Sequence, residues 1–334
     1  MDNVRLASSG SYLPPTVLTN QELVEQLAAS GIESSDAWIV ARTGIRERHI
    51  ASASESTSDL GCNAARLALD RAGLLAKDVD LIICATSTPD MYLPSTACII
   101  QGKLGAENAA AMDVNAACSG FIYAMATAYY YLKASNLRTA IVIAAETYSR
   151  IVDWKDRSSC VFFGDGAGAV VLTKDEHEAG IRGIYLGADG TNGGSIVAPA
   201  CGISETFPYP SMLEVREGAP KFSMRGRDVY NFAVSAFPHA VTKLLEQLRR
   251  ETSSVDLVIS HQANINIIRE SLSKLGIPES KTYVNLDRCG NTAAASIPIA
   301  LDEAMASGRA EPGSALLLVG FGGGLTWGSA LIDM

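Results

Sequence analysis

What this chain of 334 residues lacks narrows the field first. No apolar run reaches the roughly 18 uninterrupted residues that a membrane span needs; the longest, "LIICA" and "ALLLVG", are strand-sized. The opening "MDNVRLASSGSYLPP" lacks the basic start and apolar core of a secretion signal, so a cytoplasmic protein is expected. CxxC pairs are missing too. Seven cysteines, an odd number, lie scattered through apolar patterns, which argues against zinc or disulfide frameworks and for a reducing compartment. Positive charge is scarce: 27 Lys and Arg face 36 Asp and Glu, a net charge of −9 that argues against a nucleic-acid surface. Only the local cluster "RTGIRERH" (42–49) escapes that argument.

What is present is an ordinary globular composition, 48% hydrophobic and 19% charged, enough for one large domain or two of about 150–170 residues. Strand-like runs at 79–86, 139–146, 167–173, 255–260, 281–286 and 315–320 alternate with helical stretches at 58–73, 94–104, 118–134, 228–251, 264–275 and 292–307. That is α/β alternation. The chain also repeats itself. "VDLIICATST" begins at Val79 and "VDLVISHQAN" at Val255; "AIVIAAE" begins at Ala140 and "ALLLVGFGG" at Ala315; "DVNAACSG" sets Cys118 against Asn291 in "LDRCGNTA". The offsets, 176, 175 and 173 by residue number, point to a duplicated α/β unit with halves 1–173 and 174–334. In such sheets functional residues collect beyond the carboxyl ends of strands, where Cys118, His261 and Asn291 all fall.

Cys118 lies where a short strand, Ala111–Val114, gives way to a helix with Phe121, Met125, Ala128 and Leu132 at helical spacing. A helix N-terminus lowers a thiol's pKa, so a nucleophilic thiolate is expected there. Cysteines in apolar runs are otherwise core fillers, the reading given to Cys84, Cys98 and Cys160. His261, opening "HQAN" after a strand, can donate to developing charge or accept a proton, or simply be a satisfied loop residue. His49, His177 and His239 have no comparable setting and are read as structural. Asn291 in "RCGNTAAAS" is a neutral amide able to stabilise an oxyanion, or a helix cap. "FGGGLTWGSAL" (321–331) suits an oxyanion hole or a tight turn. "GDGAGAVVL" (164–172) leads into a strand rather than a helix and is not a dinucleotide site.

Together "WIVARTGIRERHI", "DVNAACSGF", "FGDGAGAVVL", "HQAN", "GNTAAASIP" and "FGGGLTWGSAL" resemble the β-ketoacyl-acyl-carrier-protein synthase III family of thiolase-fold condensing enzymes, over essentially the whole chain. The resemblance implies a duplicated five-layered αβαβα fold and a homodimer. It implies that Cys118 takes an acyl group from acyl-CoA. His261 and Asn291 then stabilise the enolate left when malonyl-acyl carrier protein loses CO2, and the Cys118 and Gly323 amides form the oxyanion hole. No cofactor or metal is implied, since coenzyme A thioesters are substrates. A Cys-His-His elongating synthase is disfavoured by the absence of a second matching histidine. A degradative thiolase is disfavoured because "FGGGLTWG" holds no cysteine; Cys289 lies outside that motif. A non-catalytic partner subunit would lack the nucleophile that this chain keeps.

By the same resemblance, Trp38 and Arg157 bracket the adenine of coenzyme A, Arg42 lies near its phosphates and Asn264 near its pantetheine. Ser34 stands where threonine is common, and Arg227 where some members have asparagine. Two basic positions used for carrier-protein docking are Asn231 and Asn266 here; Lys274 is retained and Arg269 is nearby. Fewer charges weaken steering toward an acidic carrier. Leu93 matches a residue that the dimer partner inserts into the acyl pocket, where leucine instead of phenylalanine alters the wall. The expected activity is initiation of fatty-acid synthesis, with a specialised condensing enzyme of secondary metabolism as the alternative.

Overall fold

The computed structural model describes residues 3–198 and 222–334. Strand β1 (Asn3–Tyr12) leads to a hairpin of β2 (Thr16–Thr19) and β3 (Glu47–Ile50) that encloses helices α1 (Asn20–Ala29) and α2 (Asp36–Thr43). Then α3 (Thr57–Ala72), β4 (Leu81–Ala85), α4 (Thr96–Leu104), β5 (Ala110–Val114), α5 (Gly120–Ala134), β6 (Thr139–Thr147) and β7 (Asp165–Asp175) follow. They complete a sheet ordered β1-β7-β6-β4-β5. The chain continues through β8 (Gly180–Ala188), the short β9 (Ile196–Val197) and β10 (Ser223–Met224), α6 (Gly226–Leu248) and β11 (Leu257–Ser260). It ends with α7 (Ile265–Leu275), α8 (Leu286–Cys289), α9 (Ser296–Ala306), β12 (Ala315–Gly322) and β13 (Thr326–Asp333). The second sheet, β8-β13-β12-β11, retraces the first: two antiparallel pairings, then a parallel one.

The fifth position differs between the sheets. β5 pairs in parallel with β4 over five residues, whereas its counterpart makes a single bridge, Val258 to Thr282. The strand expected over 281–286 is therefore corrected to one bridged residue, because the chain turns at Leu286 into α8 instead of staying extended. β5 is also only half-buried, not the buried strand expected, because it is the last strand of its sheet among the described residues.

Hydrophobic patterning explains the layers. Every residue of β4 and β6 is buried, as continuous apolar runs are when helices cover both faces of a sheet. Helices α3 and α4 cover the outer face of the first sheet, and α6 and α7 that of the second. Between the sheets lie α5 and α9, touching both. Phe121, Met125, Ala128 and Leu132 of α5 are all fully buried, as a central-layer helix requires. The result is the duplicated αβαβα fold of the thiolase class. Among the described residues no helix is long and apolar enough to cross a membrane.

Two more expectations are corrected. Cys98 is exposed on α4, not a core filler, although Cys84 and Cys160 are buried. The basic run 42–49 is no continuous cationic surface, because Arg48 is fully buried. Its guanidinium donates to the Leu18 carbonyl, Asn20 Oδ1 and the Val161 carbonyl, tying the β2–β3 hairpin to the segment before β7. Burial lowers its pKa to about 10. Gly290, at φ 66°, leaves room for it: a Cβ there would come within 2.9 Å of Arg48 Cβ.

Candidate active site

Cys118 stands in one 3-10 turn, Ala117–Ser119, between β5 and α5. Ala117 has φ 44°, a left-handed value that a side chain with a Cβ disfavours. Asn115 Oδ1 stabilises it by accepting the Ala117 N–H at 3.2 Å. The same turn recurs before α9. There Ala293 has φ 48° and its N–H donates to Asn291 Oδ1 at 2.9 Å. Asn115 and Asn291, Ala117 and Ala293, Gly120 and Ser296, and Ala85 and His261 are each 176 apart in number. The counterpart of Cys118 is therefore Ala294. The sequence alignment that set Cys118 against Asn291 is corrected by three residues, because the fold superposes turns rather than chemically conspicuous side chains.

Each turn packs beneath the other half's strand. A Cβ on Gly322, which closes β12, would lie 2.7 Å from Cys118 Cβ and 2.8 Å from its nitrogen, so only glycine lets the nucleophile turn approach. Gly323 follows against Ala117. At the matching position of the first half stands Glu146, whose carboxyl group faces the Ala294 amide where β6 packs on the 293–295 turn.

His261 follows β11 and is buried, with its ring edge-to-face on Phe321, centroids 5.2 Å apart. Its Nδ1 is 2.7 Å from Ser296 Oγ, which also lies 2.8 Å from the Ala293 carbonyl and accepts the Gln262 N–H at 3.2 Å. The serine has one proton to give. Given to Nδ1, it leaves Nε2–H as a donor; given to the Ala293 carbonyl, it leaves Nδ1–H on the serine and Nε2 as a base. Asn291 is held by both backbone groups, N–H to the Phe162 carbonyl at 2.8 Å and carbonyl from the Gly164 N–H at 3.1 Å. With Oδ1 occupied by Ala293, Nδ2 has no protein partner among the described residues and is the group free to donate. Asn291 and His261 thus both hang on Ala293, which packs with Cys118 in one apolar cluster, and Cys118 and His261 flank Phe321–Gly322.

The electrostatics overturn one expectation. The Cys118 thiol is not pre-ionised: burial pushes it up to about 12, the Glu146 charge adds to this, and its own backbone amide opposes only in part. α5 proper starts at Gly120, so the thiol precedes the helix rather than capping it. Burial lowers the pKa of His261 to about 3, against the pull of the Ala293 carbonyl, which keeps the imidazole neutral. A neutral base and a neutral thiol can exchange a proton as reaction proceeds without a standing charge in an apolar site.

The resemblance-derived residues fall into two groups. Arg157 Cζ lies 4.6 Å from the Trp38 ring centroid and Arg42 Cζ 5.8 Å, so indole and guanidinium are neighbours. They are stacked on each other, however. A purine between them needs about 7 Å, two ring contacts of roughly 3.5 Å, so Arg157 must leave its bond to the Glu33 carbonyl to admit one. Asn264 caps α7 and donates to the Arg42 carbonyl at 2.9 Å. Arg227 is exposed at the start of α6. Lys274 pairs with Glu270 at 2.8 Å and Arg269 with Glu279 at 3.2 Å, so neither is an unpaired cation. Leu93 is 85% exposed beside exposed Met91 and Tyr92. The rings of His49, His177 and His239 have partners away from Cys118: the Pro14 carbonyl, the Ala179 N–H and Tyr185.

Three features went unread in the sequence. One is an aromatic wall beside Cys118: Tyr148 stacked on Phe163 at 4.7 Å, with Phe222 edge-on to both. The others are Ser296 and Glu146. A glutamate ending the otherwise apolar "TAIVIAAE" was the available signal, since an ionisable group seldom sits in a buried strand without a task. Among the described residues no cluster of three or more His, Cys, Asp or Glu could hold a metal.

A cysteine, a neutral histidine and an amide gathered at the centre of a duplicated αβαβα fold define an acyltransferase of the thiolase-fold condensing class. Family profiles described as 3-oxoacyl-[acyl-carrier-protein] synthase III and its C-terminal region match residues 112–190 and 245–334. The chain is 45% identical to the β-ketoacyl-[acyl-carrier-protein] synthase III of Clostridium perfringens over 334 residues, all of both chains. It is 46% identical to that of Xanthomonas euvesicatoria, over 98% of this chain and 97% of that one. Among solved structures, the Aquifex aeolicus synthase III matches with a TM-score of 0.90 at 41% identity over 99% of this chain and 100% of that one. The priming β-ketosynthase of the R1128 polyketide pathway matches at 0.89 and 33% over 99% and 96%. The chain belongs to the β-ketoacyl-[acyl-carrier-protein] synthase III family.

Proposed function

We propose that this protein condenses an acyl-CoA primer with malonyl-acyl carrier protein, with loss of CO2, giving a β-ketoacyl-acyl carrier protein and initiating fatty-acid synthesis. In the first half-reaction His261 Nε2 takes the Cys118 proton as sulfur attacks the acyl carbonyl. The Cys118 and Gly323 amides hold the oxyanion, and coenzyme A leaves with the proton. In the second, the malonyl carboxylate departs as CO2 and its bonding pair becomes an enolate. Nε2–H and Asn291 Nδ2–H stabilise its oxygen, each such donor typically contributing about 2–4 kcal/mol at a transition state. The enolate carbon then attacks the acyl-cysteine, and the Cys118 sulfur leaves as a thiolate and takes up a proton from solvent, the one proton that the overall reaction consumes. No step calls for a cofactor. The observation that supports the scheme most directly is the shared attachment of His261 and Asn291 to Ala293 beside Cys118.

Trp38, Arg42, Arg157, Asn264 and Arg227 are assigned to coenzyme A, with Arg157 swinging off the indole to admit the adenine. The chain is read as two thiolase-like halves, 1–173 with the nucleophile and 174–334 with His261 and Asn291. A cytoplasmic homodimer is proposed, supported, among the described residues, by six free cysteines, by the unpaired edge of β5, and by exposed Met91, Tyr92 and Leu93. Leu93 would enter the partner's acyl pocket. A second reading, a primer-specific condensing enzyme of secondary metabolism, draws support from the R1128 relative and from the ion-paired state of Lys274 and Arg269.

The test is 14CO2 release from carboxyl-labelled malonyl-acyl carrier protein across acyl-CoA primers, with intact mass reporting the acyl adduct. Release with short primers is expected. Absence of release with every short primer, while an adduct forms, would favour the second reading. Absence of any adduct would end both.

A further inference from the structure

Glu146 takes no part in the scheme above, yet it is a fully buried carboxylate beside the nucleophile. Its oxygens accept from Thr88 Oγ1 at 2.5 Å, Ser87 Oγ at 3.0 Å and Ser87 N–H at 3.2 Å, all in the segment following β4. Thr86 Oγ1 lies at 3.5 Å, and the Ala294 amide faces the same carboxyl group from the other half, where the 293–295 turn packs on β6. Backbone N–H groups can only donate, and the Thr88 hydroxyl, whose oxygen accepts the Thr147 N–H at 2.8 Å, still has its proton to give to the carboxylate. These donors favour the charged form but only partly offset burial, which raises the carboxyl pKa to about 7, so the group carries its full charge above that pH.

The Ala294 contact gives the carboxylate its reach. Ala294 sits in the middle of the strained turn whose preceding residue, Ala293, carries Asn291 through its N–H and Ser296 and His261 through its carbonyl. Fixing the Ala294 amide therefore fixes the frame from which both donors hang. We propose that Glu146 is a positioning residue for the decarboxylation half-reaction, holding the Ala294 amide so that Asn291 and His261 face Cys118 in register.

This inference rests on the roles proposed above for those three residues. The other titratable groups coupled to Glu146 are the thiols of Cys118 and Cys84 and the phenol of Tyr148, all held neutral by burial. Its charge also opposes ionisation of Cys118. Removing the charge while keeping the shape consequently slows decarboxylation without slowing acylation, a separation that general loosening of the fold does not produce.

The experiment uses Glu146→Gln in the full chain. Acylation of Cys118 by acetyl-CoA is followed by intact mass, and single-turnover 14CO2 release from labelled malonyl-acyl carrier protein is measured on the pre-acylated enzyme. CO2 release should fall by about tenfold or more, the scale set by small misplacements of catalytic groups. Acylation should hold or quicken, and the pH profile of iodoacetamide alkylation at the Cys118 peptide should move to lower pH. CO2 release at the wild-type rate, or equal slowing of both half-reactions with an unmoved alkylation profile, would overturn the proposal. Wild-type enzyme that acylates but releases no CO2 would instead refute the scheme on which it rests. If Glu146→Gln does not fold, Ser87→Ala removes one anchoring hydroxyl and keeps the charge. It should slow CO2 release about threefold, consistent with the loss of one of several hydrogen bonds that anchor the carboxylate, without an acid shift in alkylation; unchanged release would refute the positioning role.

Discussion

The turns at 115–120 and 291–296 share an asparagine, an alanine at positive φ, one 3-10 turn and the start of a central helix, yet only one carries a thiol. What differs is the residue that the opposite half lays over each. Gly322 lies over Cys118 and adds no side chain; Glu146 lies over Ala294 and faces its amide. The asparagines diverge in the same way, Asn115 exposed and Asn291 buried. One backbone motif thus serves as a nucleophile mount in one copy and as a rigid donor bracket in the other, according to what covers it.

The most severe break of that comparison is a transplant. In Cys118→Ala the acyl adduct should vanish and condensation should fall to background, as when any covalent nucleophile is removed. Adding Ala294→Cys should restore nothing, because the second turn offers its sulfur a carboxylate overhead instead of a glycine. An acyl adduct mapped to position 294 in the double variant would show the turns to be interchangeable and Glu146 to be irrelevant.

Next in size is Asn291→Asp. The Oδ1 bond to the Ala293 N–H survives, so the turn is kept, but a carboxylate oxygen replaces Nδ2 and repels the enolate. Decarboxylation should drop by about 10²–10³, the loss typical of one oxyanion donor, while Cys118 acylation changes far less. Equal loss in both half-reactions would mean that Asn291 serves acylation as well.

Gly322→Ala should act in the opposite sense. Its new Cβ would collide with Cys118 Cβ at 2.7 Å, so acylation should suffer more than decarboxylation. A stability loss of about 1–3 kcal/mol is expected for such overpacking, seen as a lower Tm. Normal acylation in a folded variant would show that the approach of the two strands is not needed.

These contrasts also mark what was legible in the sequence. The α/β duplication could be read because its strands are apolar runs bounded by turn residues, whereas its five αβαβα layers came only through the family resemblance; Cys118 and His261 do follow strands, but the strand expected before Asn291 is a single bridge followed by α8. The partner of each turn could not. Cys118 and Asn291 look like counterparts only when chemistry is aligned; φ angles at Ala117 and Ala293, invisible in a string of alanines, set the true register. The ionisation of Cys118 was misjudged because proximity to a helix start is local, whereas burial and Glu146 are contributed by distant segments. Cys98 was misplaced for a related reason: an apolar run does not say which face of α4 meets the core.

The smallest effect expected concerns pH and separates His261 from its counterpart Ala85, which cannot titrate. The folded pKa of His261, about 3, lies below the 6.5 of a free imidazole. The unfolded chain therefore binds a proton that the native site refuses, and His261 erodes stability as pH falls from about 6.5 toward 3. Glu146 acts with the opposite sign. Its folded pKa of about 7 exceeds the ordinary 4.5, so its contribution is greatest below 4.5 and is lost as pH rises through 7. Between pH 4.5 and 6.5 the two slopes oppose each other and flatten the profile. His261→Gln should lose less Tm than wild type on acidification from pH 6.5 to 5, and Glu146→Gln should lose more. Differences of a few degrees are expected for changes near 1 kcal/mol. Parallel Tm profiles in all three proteins would show that neither group is held in the protonation state that its burial dictates.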